Sequence, residues 1–352
     1  MNTSIKPHHK FSLYMGENRI SYTLLETENI AFYAGKLSER SSNSTYIQNY
    51  APSVTSYCAI ARAILLHWSR PAIQYLIGSA SELAKMHWAI HCQPNQTMEV
   101  DYFTQRLQVT TVEKQHDYNS YDSLVHWLDG ASMAILADNP QAKAQLYAVP
   151  AHEISRKTDL TDFRPIEQDF FHLFKAFLFG EQNKEQQAAL LQAVVPYLTS
   201  ELIAEAEKGE PYWMNYYEFL IFPLYSLIAI SWGFEATPLD QAVEASIEAN
   251  YQWYAYFAEQ NGGKTGEESL HLNDRSCLFH NILTAFLKVH YQQTGETPSF
   301  DSLYAPMWLI KGEGLSFEAL KANPPEFTVE SVLAESLGCK GNSAHLFDYK
   351  QS

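Results

Sequence analysis

Residues 120–155 read SYDSLVHWLDGASMAILADNPQAKAQLYAVPAHEIS, and residues 162–180 read DFRPIEQDFFHLFKAFLFG; these two runs decide the fold. Leu124, Trp127, Leu128, Ala131, Ala134 and Ile135 recur at three- and four-residue spacing, which makes one face of a helix apolar. Ser120 or Asp122 is placed to cap its start, and Asn139-Pro140 ends it while opening a second helix that runs to about Val149-Pro150. A third helix begins near Pro165 and carries Phe170, Leu173, Phe174, Phe177 and Leu178 along one side. Three helices on short connections, each too apolar on one face to leave in water, predict a mainly α fold.

Outward from this centre the same grammar repeats. Tyr57, Ile60, Ala61, Ile64 and Leu65 form a helical stripe after Ser53, Pro71 interrupts, and Ala72–Cys92 supplies a second helix. Ala59, Ala61, Ala63, Gly78, Ala80 and Ala84 are small enough for these two to approach as an antiparallel hairpin. Residues 98–103 and 107–112 alternate apolar and polar side chains and predict a small β-hairpin. On the C-terminal side, a helix from Lys184 is expected to break or kink at Pro196 and to stop at Gly209. Pro211–Gly233 reads as a long aromatic helix kinked at Pro223, covered on several sides. A helix from Pro238 follows, with Ala242, Ala245, Ile247, Tyr251 and Tyr254 on one side and Asp240, Glu244, Glu248 and Glu259 on the other. Cys277–Tyr291 is amphipathic, Met307–Ile310 reads as a possible strand, and Phe317–Lys321 and Thr328–Ser336 as short helices. The expected architecture is a compact array of antiparallel helix pairs with one hairpin. It forms a single helical domain over 1–352, divisible into subdomains at 1–118 and 119–352.

Composition narrows function. A hydrophobic fraction of 46% with 18% charged residues marks a globular chain able to bury a large core. The formal net charge of −16 argues against nucleic acid as a direct partner and suits a basic protein partner steered by charge. Cys58, Cys92, Cys277 and Cys339 form no CxxC pair and are expected to be reduced, which points to the cytoplasm. The first residues lack the apolar core of a signal peptide, and the apolar run Phe219–Trp232 is too short for a bilayer.

No catalytic constellation emerges from the spacing of reactive residues. His87 and His91 share a helix face with Cys92 beside them, but the intervening residues lack the glutamate of a metalloprotease motif, and no third ligand is identifiable. Cys277 and His280 lie one turn apart and read as a buried thiol and a packed imidazole before they read as a nucleophile and base. Glu267, Glu268, His271, Asp274 and Arg275 are the densest ionisable cluster, adequately explained by capping and solvation. Nucleotide loops and nucleophile elbows are missing from the sequence, so no cofactor and no metal is expected. Acidic residues are the remaining feature: Glu201, Glu205, Glu207 and Glu210 form one group, and Glu244 with Glu248 another.

Trp127 with Ala131 and Ala134, then Asp138 at a turn, then Leu146, Val149 and Pro150, then the FHLFKAFLFGE run, make a pattern that resembles the immunity protein 49 family of bacterial polymorphic toxin systems. The resemblance spans about Tyr121–Gly180 and, more weakly, Trp213–Pro238. It implies a non-enzymatic immunity protein that binds a cognate toxin and occludes its active site; the cytoplasmic location expected from the cysteines, with the acidic charge, then implies a toxin that acts in the cytoplasm. On that expectation, Glu201, Glu205, Glu244, Glu248, Glu259 and Glu267 are the candidate toxin-binding residues. Two other readings stand beside it: a helical scaffold or adaptor for an endogenous protein, and a helical enzyme using His87, His91 or the Glu267–Arg275 cluster.

Overall fold

Apolar residues at helical spacing, punctuated by proline at helix starts and glycine at helix ends, organise the chain into helices. The structure, a computed structural model, describes residues 69–102, 105–110, 123–154, 162–180, 183–199, 216–260, 279–302 and 304–325. In chain order the elements are α1 (Arg70–His91), β1 (Thr97–Tyr102), β2 (Gln105–Thr110), α2 (Leu124–Ala137), α3 (Pro140–Ala148) and α4 (Arg164–Phe179). They continue with α5 (Lys184–Val194), α6 (Pro223–Ser231), α7 (Leu239–Gln260), α8 (Asn281–Thr294), α9 (Met307–Ile310) and α10 (Phe317–Ala322). The described chain is therefore mainly α. Strands β1 and β2 pair antiparallel, with Thr97 opposite Thr110 and Tyr102 opposite Gln105. Among the described residues no helix is long and apolar enough to cross a membrane. The expected helices over 53–68 and 328–336, and the segments 200–215 and 261–278, lie outside the described residues.

Helix α2 is the hub, packed against α1, α3, α4 and α8. Its face of Leu124, Trp127, Leu128, Ala131 and Ala134 is fully buried. Trp127 stacks edge-on against Phe171 at 4.6 Å and donates its indole N–H to the Leu146 carbonyl at 3.1 Å, tying α2 to α3 and α4. The helix ends where Asp138 adopts the left-handed conformation (φ 52°) and the N–H groups of Asp138 and Asn139 turn back to Ile135 and Ala134. This is a Schellman closure, and the short polar Asp tolerates the backbone that glycine usually supplies. Asn139 at once caps α3 by accepting from Gln141 and Ala142 N–H groups.

Helix α4 buries Phe170, Phe171, Phe174 and Phe177. Phe174 and Phe177 meet Phe286 of α8 at 5.4 and 5.1 Å, and Phe177 meets Trp232 at 5.9 Å, so one aromatic cluster joins α4, α6 and α8. Losing one such ring to alanine costs on the order of 3–5 kcal/mol.

Several expectations are corrected by the geometry. The strand expected at Met307–Ile310 is a single helical turn, since the Pro306 carbonyl accepts from both Leu309 and Ile310 and the Asp301 carboxylate holds the Met307 N–H. A run of only four apolar residues, Met307-Trp308-Leu309-Ile310, has no period by which to tell a helical turn from a strand. The helix expected from Cys277 begins at Asn281, because His280 caps it and gives its own N–H to the Tyr304 carbonyl. Before Pro223 the chain forms a π turn over Tyr217–Ile221, with Phe222 N–H reaching Tyr217 O at 2.8 Å. Proline has no N–H to continue the α ladder and its ring crowds the preceding turn, so the extra residue is absorbed there. Pro196 likewise converts the end of α5 into a 3-10 turn, Val195–Leu198.

Candidate functional site

The acidic face of α7 is built by helical periodicity. Ala242, Val243, Ser246, Ile247, Asn250 and Trp253 turn inward, which leaves Glu244, Ala245, Glu248 and Gln252 exposed. Ala245 is therefore on the solvent side, one position round from the apolar stripe on which it was expected. Glu244 and Glu248 stand one turn apart on the exposed face, and Gln252 Nε2 donates to Glu248 Oε1 at 3.3 Å. Asp240 is turned aside, accepting the backbone N–H and hydroxyl of Ser299 and so anchoring the start of α7 to the segment after α8. Glu259 lies on the same helix with its side chain outside the description, and Glu201, Glu205 and Glu267 lie outside the described residues. The structure thus brings two of the six predicted acidic residues onto one surface.

The histidine pair occupies a different place. His87 and His91 are both buried on α1, their rings stacked at 5.8 Å, and His91 Nε2 meets Glu153 Oε2 at 3.2 Å. Among the described residues no group of three or more His, Cys, Asp or Glu side chains is arranged to hold a metal ion. Cys277 lies outside the described residues. Its expected companion His280 is buried and capped against the Leu283 N–H, with burial pushing its imidazole down to about 4. The ring is held neutral as a cap acceptor.

Sequence reasoning missed the buried polar groups that join the helices. Glu82 on α1 accepts Lys85 Nζ on both oxygens at 2.9 Å and Asn139 Nδ2 at 2.7 Å, while Asn139 also reaches Ser81. Glu167 on α4 accepts the Leu124 N–H at 3.2 Å and the Tyr217 hydroxyl at 2.7 Å, capping α2 from a neighbouring helix. Asp129 accepts Asn281 Nδ2 at 2.9 Å between α2 and α8. Each carboxylate is met by specific donors, which is the condition for carrying charge inside a core.

Two pairs carry the form of a nucleophile and a base: Ser123 Oγ lies 2.7 Å from His126 Nδ1 at the start of α2, and Ser231 Oγ lies 2.8 Å from His290 Nδ1 between α6 and α8. Ser231 Oγ also donates to the Leu227 carbonyl at 2.6 Å, so its proton is spent on its own helix and the imidazole Nδ1–H donates to it. His290 Nε2 then faces the Thr294 hydroxyl at 3.2 Å, and the arrangement fastens α6 to α8 without leaving a base for the serine.

A shallow cleft lies where α2, α8 and the segment after α9 meet. Lys288, 2% exposed, gives its ammonium to Asp138 Oδ2 at 2.6 Å and to the Leu136 carbonyl at 3.2 Å, and Lys143 takes Asp138 Oδ1 at 2.9 Å. Burial alone would raise the Asp138 carboxyl; the two lysines outweigh it and hold the group below the usual carboxylate range. Burial pushes the Lys288 ammonium below its ordinary value despite Asp138. Gly312, Glu313 and Leu315 line the cleft, fastened by Gln74 to both the N–H and carbonyl of Leu315 and by Arg70 to Glu313 at 3.1 Å.

Comparison of the chain with family models, with curated proteins and with solved structures finds no match in any of the three.

Proposed function

We propose that this protein is an immunity protein, which binds a cognate toxin and neutralises it by covering the toxin's active site. The observation that supports this reading is the unit formed by the residues of the family resemblance. Trp127, Ala131, Ala134, Leu146 and Val149 are buried together, Asp138 closes α2 in the left-handed conformation, and Phe170–Gly180 packs on that framework. A rigid helical body of this kind presents a preformed surface to a partner, with little ordering cost on association.

The surface best suited to a basic partner is the exposed face of α7, where Glu244 and Glu248 stand on a helix anchored at its start by Asp240. In this reading the acidic side chains steer encounter and set its salt dependence, while aromatic contacts supply most of the affinity. The toxin works in the cytoplasm, and the immunity protein requires neither cofactor nor metal.

Co-expression with the product of the adjacent gene tests the reading. Cells making the neighbour alone are expected to die and cells making both to survive, with the two proteins purifying together. A harmless neighbour that does not co-purify refutes the proposal and leaves the adaptor reading in its place.

A further inference from the structure

Tyr147 is the most exposed large hydrophobic side chain among the described residues, at 58%. Ala142 and Leu146 turn inward on α3 and leave it on the solvent side. Phe171, Phe174 and Leu178 turn inward on the neighbouring α4 and leave Lys175 and Phe179 half-buried. The Tyr147 ring meets Phe179 edge-on at 5.7 Å, and Lys175 Nζ stands 4.9 Å from the Tyr147 centroid. A single surface tyrosine is ordinary, but here an open ring, a second ring and a cation share one spot.

The charge of that cation is unanswered. Arg70, Lys85, Arg106, Lys143, Arg164 and Lys288 each meet a carboxylate. Lys175 instead donates to the Val149 carbonyl at 2.9 Å and lies over the rings of Tyr147 and Phe171, with no carboxylate paired to it among the described residues. Burial already pushes its ammonium below the ordinary lysine value. A partner covering it with apolar groups alone would strip away more water and leave the charge bare. A partner that set a carboxylate there would answer the charge while a neighbouring side chain covered the Tyr147 ring. The net charge of −16 repels a polyanion such as a nucleic-acid backbone, so a protein is the fitting source of that carboxylate.

We propose that Tyr147, Phe179 and Lys175 form the anchor of the toxin complex. They take a toxin segment in which an acidic residue adjoins an apolar one, the carboxylate on Lys175 Nζ and the apolar side chain on the Tyr147 ring. This inference rests on the immunity reading and divides its labour: the acidic face of α7 governs the rate of encounter, and the anchor governs the rate of dissociation.

The test is the dissociation rate of the complex with the product of the adjacent gene, measured by surface plasmon resonance on the full-length protein and four variants. Tyr147→Ala is expected to speed dissociation by about tenfold or more, and Lys175→Gln by about three- to fivefold. Tyr147→Phe keeps the ring and Lys175→Arg keeps the charge, so both stay near wild type. Unfolding midpoints of the free variants, expected close to wild type, separate a lost contact from a lost fold. A wild-type complex whose dissociation is unchanged in Tyr147→Ala and Lys175→Gln overturns the anchor and leaves the immunity reading standing. Slower dissociation for Lys175→Gln contradicts the carboxylate. Absence of a wild-type complex overturns the immunity reading and the anchor with it.

Discussion

Gly130 of α2 and Ala84 of α1 meet so closely that a Cβ at position 130 would stand 2.9 Å from the Ala84 methyl carbon. This crossing seats α1 on the hub helix and leaves Trp88 fully buried beside it. Gly130→Ala gains about 1 kcal/mol of helix propensity but must separate two packed helices, which costs about 1–3 kcal/mol. The net expectation is a loss of stability that grows from Gly130→Ala to Gly130→Val. Denaturant unfolding of Gly130→Ala, Ala84→Gly and the double variant is expected to show favourable coupling of about 1 kcal/mol between the sites. Strict additivity would contradict the contact.

Asn139 joins two jobs in one side chain: its carbonyl oxygen caps α3 and its amide nitrogen serves Ser81 and Glu82. Removing a cap costs about 1 kcal/mol, and leaving a buried carboxylate one donor short costs about 1–3 kcal/mol. Asn139→Ala is therefore expected to lose about 3 kcal/mol at neutral pH by chemical denaturation, in line with those two terms. Asn139→Asp keeps the cap but sets a second carboxylate against Glu82, so its deficit relative to wild type is expected to shrink in acid.

The hub helix and its aromatic partners were legible because burial follows the 3.6-residue period. Trp127, Ala131, Phe170 and Phe174 were placed on apolar faces from spacing alone, and all four are fully buried. The same period put Glu244 and Glu248 on one exposed face. What local pattern does not carry is which element covers which. The small residue Ala84 announced a close approach, and Gly130 of α2 meets it there; the helix over 53–68, to which that approach was assigned from the sequence, lies outside the described residues. Lys288 and Asp138 are 150 positions apart, and a lysine in an amphipathic helix ordinarily reads as solvated. Glu82 and Glu167 interrupt apolar faces, the one local sign that a buried polar network was present.

His280 supplies a pH signature. Its folded value of about 4, set by burial, lies below the ordinary imidazole range, so the unfolded state binds the proton first as pH falls. Stability is expected to decline between about pH 6.5 and 4, with a contribution from this group of up to about 1.4 kcal/mol per pH unit. His280→Asn keeps a side-chain acceptor for the Leu283 N–H and removes the titration. Its stability profile over that window should be flatter than wild type; an unchanged slope would show that His280 does not carry the effect.

The Asp138–Lys288 pair predicts a second, lower window. Asp138 titrates below the usual carboxylate range in the folded protein, so its contribution is present above the unfolded value and lost as pH falls through the folded one. Asp138→Asn preserves the left-handed backbone but leaves Lys288 without its anion. The expected cost is about 1–2 kcal/mol at neutral pH, below that of a fully buried pair because Asp138 remains half in water. The difference from wild type should vanish in strong acid, where Asp138 is protonated. Because Lys288 is lowered by burial, wild-type stability should rise as pH approaches the ordinary lysine value from below, and Lys288→Met should lack that rise.

The most direct measurement is the affinity of the purified full-length protein for the toxin encoded by the adjacent gene, compared with that of Glu244→Lys/Glu248→Lys at low and moderate salt. The immunity reading with α7 as its acidic surface predicts a tight wild-type complex and slower association for the double reversal. It also predicts a smaller salt dependence for the variant and an unchanged unfolding midpoint for the variant alone. Absence of a wild-type complex at micromolar concentrations would contradict the account, and equal association rates for wild type and variant would remove α7 from it.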